Sequence, residues 1–282
     1  MVSSGRGLPE FSRPPLVEAV LTVQFEKIEG FRTVHAGLFW ERLREAFPDF
    51  VHVEEHAPID QTIEAPDPST FRSPGVRIEM LDTPSLPRLL FLDRGKTQLI
   101  QLQPDRLSHN WRKIGDDDQY PRYERIRPSF VQELELLEQF LADEKLGVLN
   151  PTQAEIGYIN HIIPPESTGA GSSPHGILRM WSDYRGVAGS MLEDASVNLR
   201  HEIRDSDGQF EGRLFVSLKP AIRRSDNERL LVLELIARGR PAGEGINGAI
   251  SFIDRGRQLV CRAFEELTTP EMQQRWGKID VN

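Results

Sequence analysis

The residues best suited to chemistry lie between Lys96 and Tyr123. The stretch KTQLIQLQPDRLSHNWRK (96–113) ends in the densest polar and aromatic cluster of the chain, and Tyr120 and Tyr123 follow closely. Side chains of an extended segment alternate between two faces. Arg106, Ser108, Asn110 and Arg112 therefore share one face, and Leu107, His109 and Trp111 the other. A face with guanidinium, amide and hydroxyl groups can hold an anion or a polar partner, because arginine forks onto carboxylate and phosphate. Trp111 is expected to anchor the core, with Asn110 and Arg112 facing outward or bracing the following loop. The candidate binding residues are thus Arg106, Asn110, Arg112, Tyr120 and Tyr123. A solvated sheet face would show the same alternation.

Other chemistries find less support. There is no Gly-x-Ser-x-Gly elbow and no Cys-His signature for a nucleophile. GRPAGEGINGA (239–249) lacks the Walker lysine and the dinucleotide spacing, so it reads as a strand-to-helix turn. Asp116, Asp117 and Asp118 are adjacent, and neighbouring carboxylates on a loop point apart; a solvated acidic turn fits better than a calcium loop. His52 and His56 straddle a strand, so they do not make a helical metal pair. His109, His161 and His201 fall on separate strands. Glu18 and Glu155 are read as ion-paired or surface groups. No catalytic residue, metal site or cofactor is assigned.

The 282 residues suffice for one large or two ordinary domains, and 38% hydrophobic with 27% charged residues is ordinary globular composition. The formal charge of −9 argues against binding bulk nucleic acid, which needs basic surface. No apolar run could span a bilayer, and MVSSGRGLPEF has no apolar signal region. Cys261 is the only cysteine and sits among Leu259, Val260 and Phe264, which suggests a packing thiol. A reducing, cytoplasmic setting is expected.

These groups need a scaffold. Residues 1–13 read as a flexible lead. Val17–Phe25 reads as a strand, and Thr33 as the N-cap of a helix through Phe47 that Pro48 ends. Strands are expected over 49–56, 76–81 and 88–93, with 57–74 a proline-rich loop or poorly ordered. Arg94-Gly95 should turn the chain into the Lys96 stretch, and a bulge or turn should sit at Pro104-Asp105, where the apolar parity switches. A helix is expected from Pro128 to Leu146, with Gly147 at its end. Pro151 opens a second strand. A Gly/Ser/Pro loop and a short helical segment around 177–184 follow. Next come strands over 195–204, 210–219 and 229–237, and a helix over 245–267. Leu230, Val232 and Ile236 make the strand over 229–237 apolar on both faces, so its second face should be covered.

The order strand, helix, strands, helix occurs twice. PPLVEAVLTVQF (14–25) and PTQAEIGYINHI (151–162) share a proline, a glutamate four residues on (Glu18, Glu155) and a closing hydrophobe. The expected fold is α+β: two related β-α-antiparallel-sheet-α halves, 14–148 and 149–282, in a duplicated TATA-binding-protein-like or helix-grip arrangement.

The chain resembles a sporadically distributed family of uncharacterised bacterial proteins of about this length. The resemblance rests on the opening Pro14, Pro15, Leu16 and Glu18, on Arg106, Asn110, Trp111 and Arg112, on Tyr120, Pro121 and Tyr123, and on a closing helix with Phe264 and a late Trp276. It implies an accessory role such as defence. The functional expectation is a non-enzymatic binding or interaction protein whose partner is another protein or a small anionic ligand, and a homo-oligomer is compatible with this. The alternative is an enzyme or effector acting on a nucleotide or phosphorylated ligand at the sheet surface.

Overall fold

The computed structural model describes residues 7–66, 86–164, 174, 176–181, 187–190 and 192–279. The fold is α+β and is dominated by one antiparallel sheet. In chain order, β1 (Glu10–Phe11) and β2 (Leu16–Phe25) precede α1 (Thr33–Ala46). Then come β3 (Phe50–His56), β4 (Arg88–Asp93), β5 (Gln98–Gln103), β6 (Arg106–Arg112) and α2 (Tyr123–Asp143). The rest is β7 (Pro151–Ile162), β8 (Val197–Arg204), β9 (Phe210–Arg223), β10 (Glu228–Gly239), α3 (Gly245–Leu267), α4 (Pro270–Arg275) and β11 (Lys278–Ile279). Nine strands form the large sheet in the order β3-β4-β5-β6-β2-β7-β10-β9-β8, and β1 pairs with β11.

The alternation of β2 explains the layering. Ala19, Leu21, Val23 and Phe25 are fully buried on one face, where α1, α2 and α3 pack. Phe39 of α1 packs at an angle against the rings of Phe91 and Phe140, and Phe130, Leu134 and Leu137 of α2 continue the core. Each such buried side chain contributes about 1.5–3 kcal/mol. Glycine lets α3 approach closely: a Cβ on Gly256 would lie 2.9 Å from Ile156 and 3.0 Å from Ala237. That seats α3 directly on β7 and β10.

Several expected boundaries move. The extended Lys96 stretch is a hairpin, folded at Pro104-Asp105 with Gln103 opposite Arg106. The turn before β5 places Lys96, not Gly95, in the left-handed region (φ 56°). Thr33 is the first helical residue, and the Arg32 N–H donates to the His35 ring at 2.9 Å instead. Helix α2 begins at Tyr123 and ends at Asp143, with Pro128 inside it. Pro128 sits early enough to forgo only the bond to the Glu124 carbonyl. Within the expected 1–13 lead, Glu10 and Phe11 pair with Ile279 and Lys278. Only Arg179–Trp181 of the expected short helix is described as helical, as a 3-10 turn. The strand expected over 76–81 lies outside the described residues.

Residues 57–66 have no regular structure, yet they form a strap across the face of the sheet opposite the helices. A row of side chains grips its main chain. Gln103 both accepts from the Ile59 N–H (2.9 Å) and donates to the Ile59 carbonyl (3.0 Å). Arg106 donates to Asp60 O (2.7 Å), Gln24 accepts from Thr62 N–H (3.0 Å), and Gln153 from Glu64 N–H (3.1 Å). These four gripping residues are cross-strand neighbours on β5, β6, β2 and β7. Glu64, 5% exposed, then pairs with Arg213 (2.6 Å) and Arg238 (3.5 Å).

Candidate functional site

A cleft of about 310 Å³ opens on the helix-covered side, at one end of the β2–β7–β10 strands. Four elements supply most of its wall, and Leu16 of β2 and Leu235 of β10 complete it. The N-terminal segment supplies Pro9 and Phe11, held in place by the pairing of β1 with β11 and by Ser12 N–H to Gly277 O (3.0 Å). The loop before α2 supplies Tyr120 and Arg122; Arg122 takes φ 73° as the N-cap, and no side chain caps the helix. Strand β7 supplies Tyr158 and Asn160, both on the inner face. Helix α3 supplies Arg257, Cys261 and Phe264, one face of the helix by spacing.

The polar groups converge on this space. The Tyr120 and Tyr158 hydroxyls lie 3.1 Å apart. Only one proton bridges such a pair, so the second hydroxyl hydrogen is free to be donated. Burial pushes the Tyr120 hydroxyl up to about 12 and that of Tyr158 well above its ordinary value, so both stay protonated. Asn160, 3% exposed, donates from Nδ2 to Leu233 O (3.1 Å). Arg257 stacks its guanidinium over the Tyr123 ring at 4.5 Å, and its Nη2 donates to Glu124 (2.8 Å). Its Nε is buried without a partner, and its Nη1 makes no hydrogen bond among the described residues. Tyr123 and Arg127 both donate to Asp254, at 2.7 and 2.8 Å, which braces α2 against α3. Burial pushes the Cys261 thiol up to about 11, so it is a neutral wall of the cleft.

The residues singled out from sequence fall on two sides of the sheet. Tyr120 and Tyr123 line the cleft, and Trp111 reaches it indirectly, its ring 5.3 Å from that of Tyr120. Trp111 is 3% exposed and belongs to the core. Arg106, Asn110 and Arg112 point the other way. Arg106 holds the strap, Asn110 bridges Glu18 (2.6 Å) and Gln101 (2.7 Å), and Arg112 braces the Lys96 turn through its carbonyl (2.9 Å). Glu155 pairs with Arg238. The second face of β10 is only partly covered: Leu230 is buried, while Val232 and Ile236 are half-buried.

The strand histidines are not brought together. His109 faces α2 and meets Glu133 at 2.7 Å, both fully buried. His161 is on β7, and His201 is three strands further out on β8. Among the described residues, no group of three or more His, Cys, Asp or Glu could hold a metal ion, and no helix is long and apolar enough to cross a membrane. Sequence reasoning missed Tyr158, Asn160 and Arg257. The first two look like ordinary strand residues and the third like the polar side of an amphipathic helix; only the register of β7 and the seating of α3 bring them together.

No protein-family profile matches the chain, and no curated protein matches it.

Proposed function

We propose that the chain is a non-enzymatic binding protein of two related halves, and that the cleft behind Tyr120 takes a small anionic ligand. One observation carries the ligand reading. Arg257 stands at the wall of a preformed cleft with its Nη1 making no hydrogen bond among the described residues, beside a pair of tyrosine hydroxyls with one hydrogen to spare and a buried asparagine amide. Cavities of this kind, apolar with a few convergent polar groups, are the usual form of small-molecule sites. Cys261 held protonated and hydroxyls pushed upward suit binding better than nucleophilic chemistry.

The sheet order supports the two-halves reading. In each half the first strand (β2, β7) lies beside the last (β6, β10), followed by the one before it (β5, β9). Val20 and Gly157 are directly paired and have the same chain spacing as Pro14 and Pro151, and as Glu18 and Glu155. A two-fold axis through that pair would bring Glu18 over Glu155. An antiparallel sheet with helices on one face suits a TATA-binding-protein-like saddle, and the cleft beside the long α3 suits a helix-grip variant. The resemblance to a sporadic bacterial family suits an accessory role such as defence. A nucleotide or phosphorylated ligand at the sheet surface has less support, because Arg106, Arg213 and Arg238 there are engaged by the strap.

The test is to purify the protein, denature it and read released small molecules by mass spectrometry, alongside a thermal-shift screen of organic anions. A released or stabilising anion is the expected result. An empty protein that no anion stabilises would overturn the reading.

A further inference from the structure

We infer that the cleft selects a monocarboxylic acid with a compact apolar body, held through Arg257. The inference rests on the reading of the cleft as a ligand site and adds the ligand's chemical class.

Charge comes first. The cleft wall carries Arg122 and Arg257 against Glu10 and Glu124. Formal charges cancel, and one guanidinium is already half engaged by Glu124. A phosphate monoester brings about −1.5 to −2 charges and three strong acceptors. Partly buried beside two carboxylates, it would leave more charge uncompensated than a carboxylate would, which is costly in a poorly solvated site. A carboxylate brings one charge and a planar pair of acceptors that match a guanidinium edge. A neutral acceptor such as an amide carbonyl can take a hydrogen bond from Arg257 Nη1 but brings no charge to it, so the bond is weaker than a carboxylate's.

Shape and polarity give the rest. Phe11, Leu16, Leu235 and Phe264 form apolar walls, and the volume of about 310 Å³ is at the small end for ligand sites. The uncapped N-terminus of α2 opens on the same space and adds positive potential of the same sign as Arg257. The Asn160 amide and the spare tyrosine hydroxyl can serve a second polar atom on the ligand. The body must therefore be apolar, with the acid at one end.

Wild-type protein provides the test, with benzoate, phenylacetate, benzamide and phenyl phosphate as probes. Two readouts are used: the thermal midpoint and the rate at which iodoacetamide alkylates Cys261 at pH 9, which ligand in the cleft should slow. The carboxylates are expected to raise the midpoint and protect Cys261, with benzamide and phenyl phosphate weaker by roughly tenfold or more. Arg257→Gln should abolish the preference for carboxylate over amide. Phenyl phosphate or benzamide binding as well as the carboxylates would overturn the class while leaving the ligand site standing. If no probe moves either readout, the ligand site itself fails.

Discussion

Gln24 and Gln153 face each other across the central β2–β7 pair and grip the same strap two residues apart, Gln24 at Thr62 and Gln153 at Glu64. The strap thereby crosses from the β5–β6 side of the sheet to the β10–β9 side, where Arg213 and Arg238 hold Glu64. Gln153→Ala should cost about 1–3 kcal/mol, the penalty for leaving a buried main-chain donor unmet. Glu64→Ala should cost more, about 3–5 kcal/mol, because it leaves buried arginine charge uncompensated. Urea unfolding of the two variants measures both; equal costs would mean that the ion pairs do not hold the strap.

Trp111 and Arg112 are adjacent and should behave oppositely. Trp111→Ala removes a core ring and should lose about 3–5 kcal/mol. Arg112 gives one hydrogen bond to a turn carbonyl, so Arg112→Ala should cost about 1 kcal/mol or less. Thermal unfolding of both variants checks the contrast.

His109 and Glu133 are a buried pair with His109 Nε2 and Glu133 Oε2 both unpartnered. Burial raises the Glu133 carboxyl, against the attraction of His109. His109→Ala should cost about 3–5 kcal/mol by stranding the carboxylate, whereas Glu133→Gln, which removes the charge but keeps the shape, should cost clearly less. Comparable losses on chemical denaturation would argue against a charged carboxylate at this position.

Cys261 gives a pH signature. Its thiol is raised from 9.0 to about 11 by burial. Because the folded value is the higher one, the stability it contributes is complete below pH 9 and is lost as pH rises towards 11. In the folded protein, alkylation at pH 8 should be about a hundredfold slower than in the urea-unfolded chain and should accelerate up to pH 11. Mass spectrometry of the adduct reads both. Equal rates in folded and unfolded chain would place the thiol outside the cleft wall.

Random duplex DNA should produce no salt-sensitive mobility shift at micromolar protein and physiological salt, given the charge of −9 and the engaged outer-face arginines. A shift that weakens with salt would favour the saddle as a nucleic-acid surface.

The parts of the fold legible in the sequence are those governed by local pattern. Helix α3 runs over 245–267 as its apolar stripe requires, and β10 follows its run of branched residues. Pro128 was a poor guide because an early helical proline loses a single bond, so α2 could extend back to Tyr123. The strap was illegible for another reason: its bonds run from distant glutamines to its main chain, and main-chain donors carry no sequence signal. The aromatic density around Tyr120 and Tyr123 pointed towards the cleft, but alternation along β6 sends Asn110 and Arg112 to the opposite face. Arg257 left no local trace, since its role depends on how closely Gly256 lets the helix sit on the sheet.

The pairing of β1 with β11 has a consequence for the order in which the molecule is made. Phe11 forms a wall of the cleft, yet the backbone that fixes it belongs to residues 276–279. A ribosome emits Phe11 well before its clamp, because Ser12 and its partner Gly277 are 265 residues apart in the chain. The wall that Phe11 forms is thus completed only after strands β2 to β10 have been made, and a chain released short of Trp276 would carry the large sheet with an open, unfinished site.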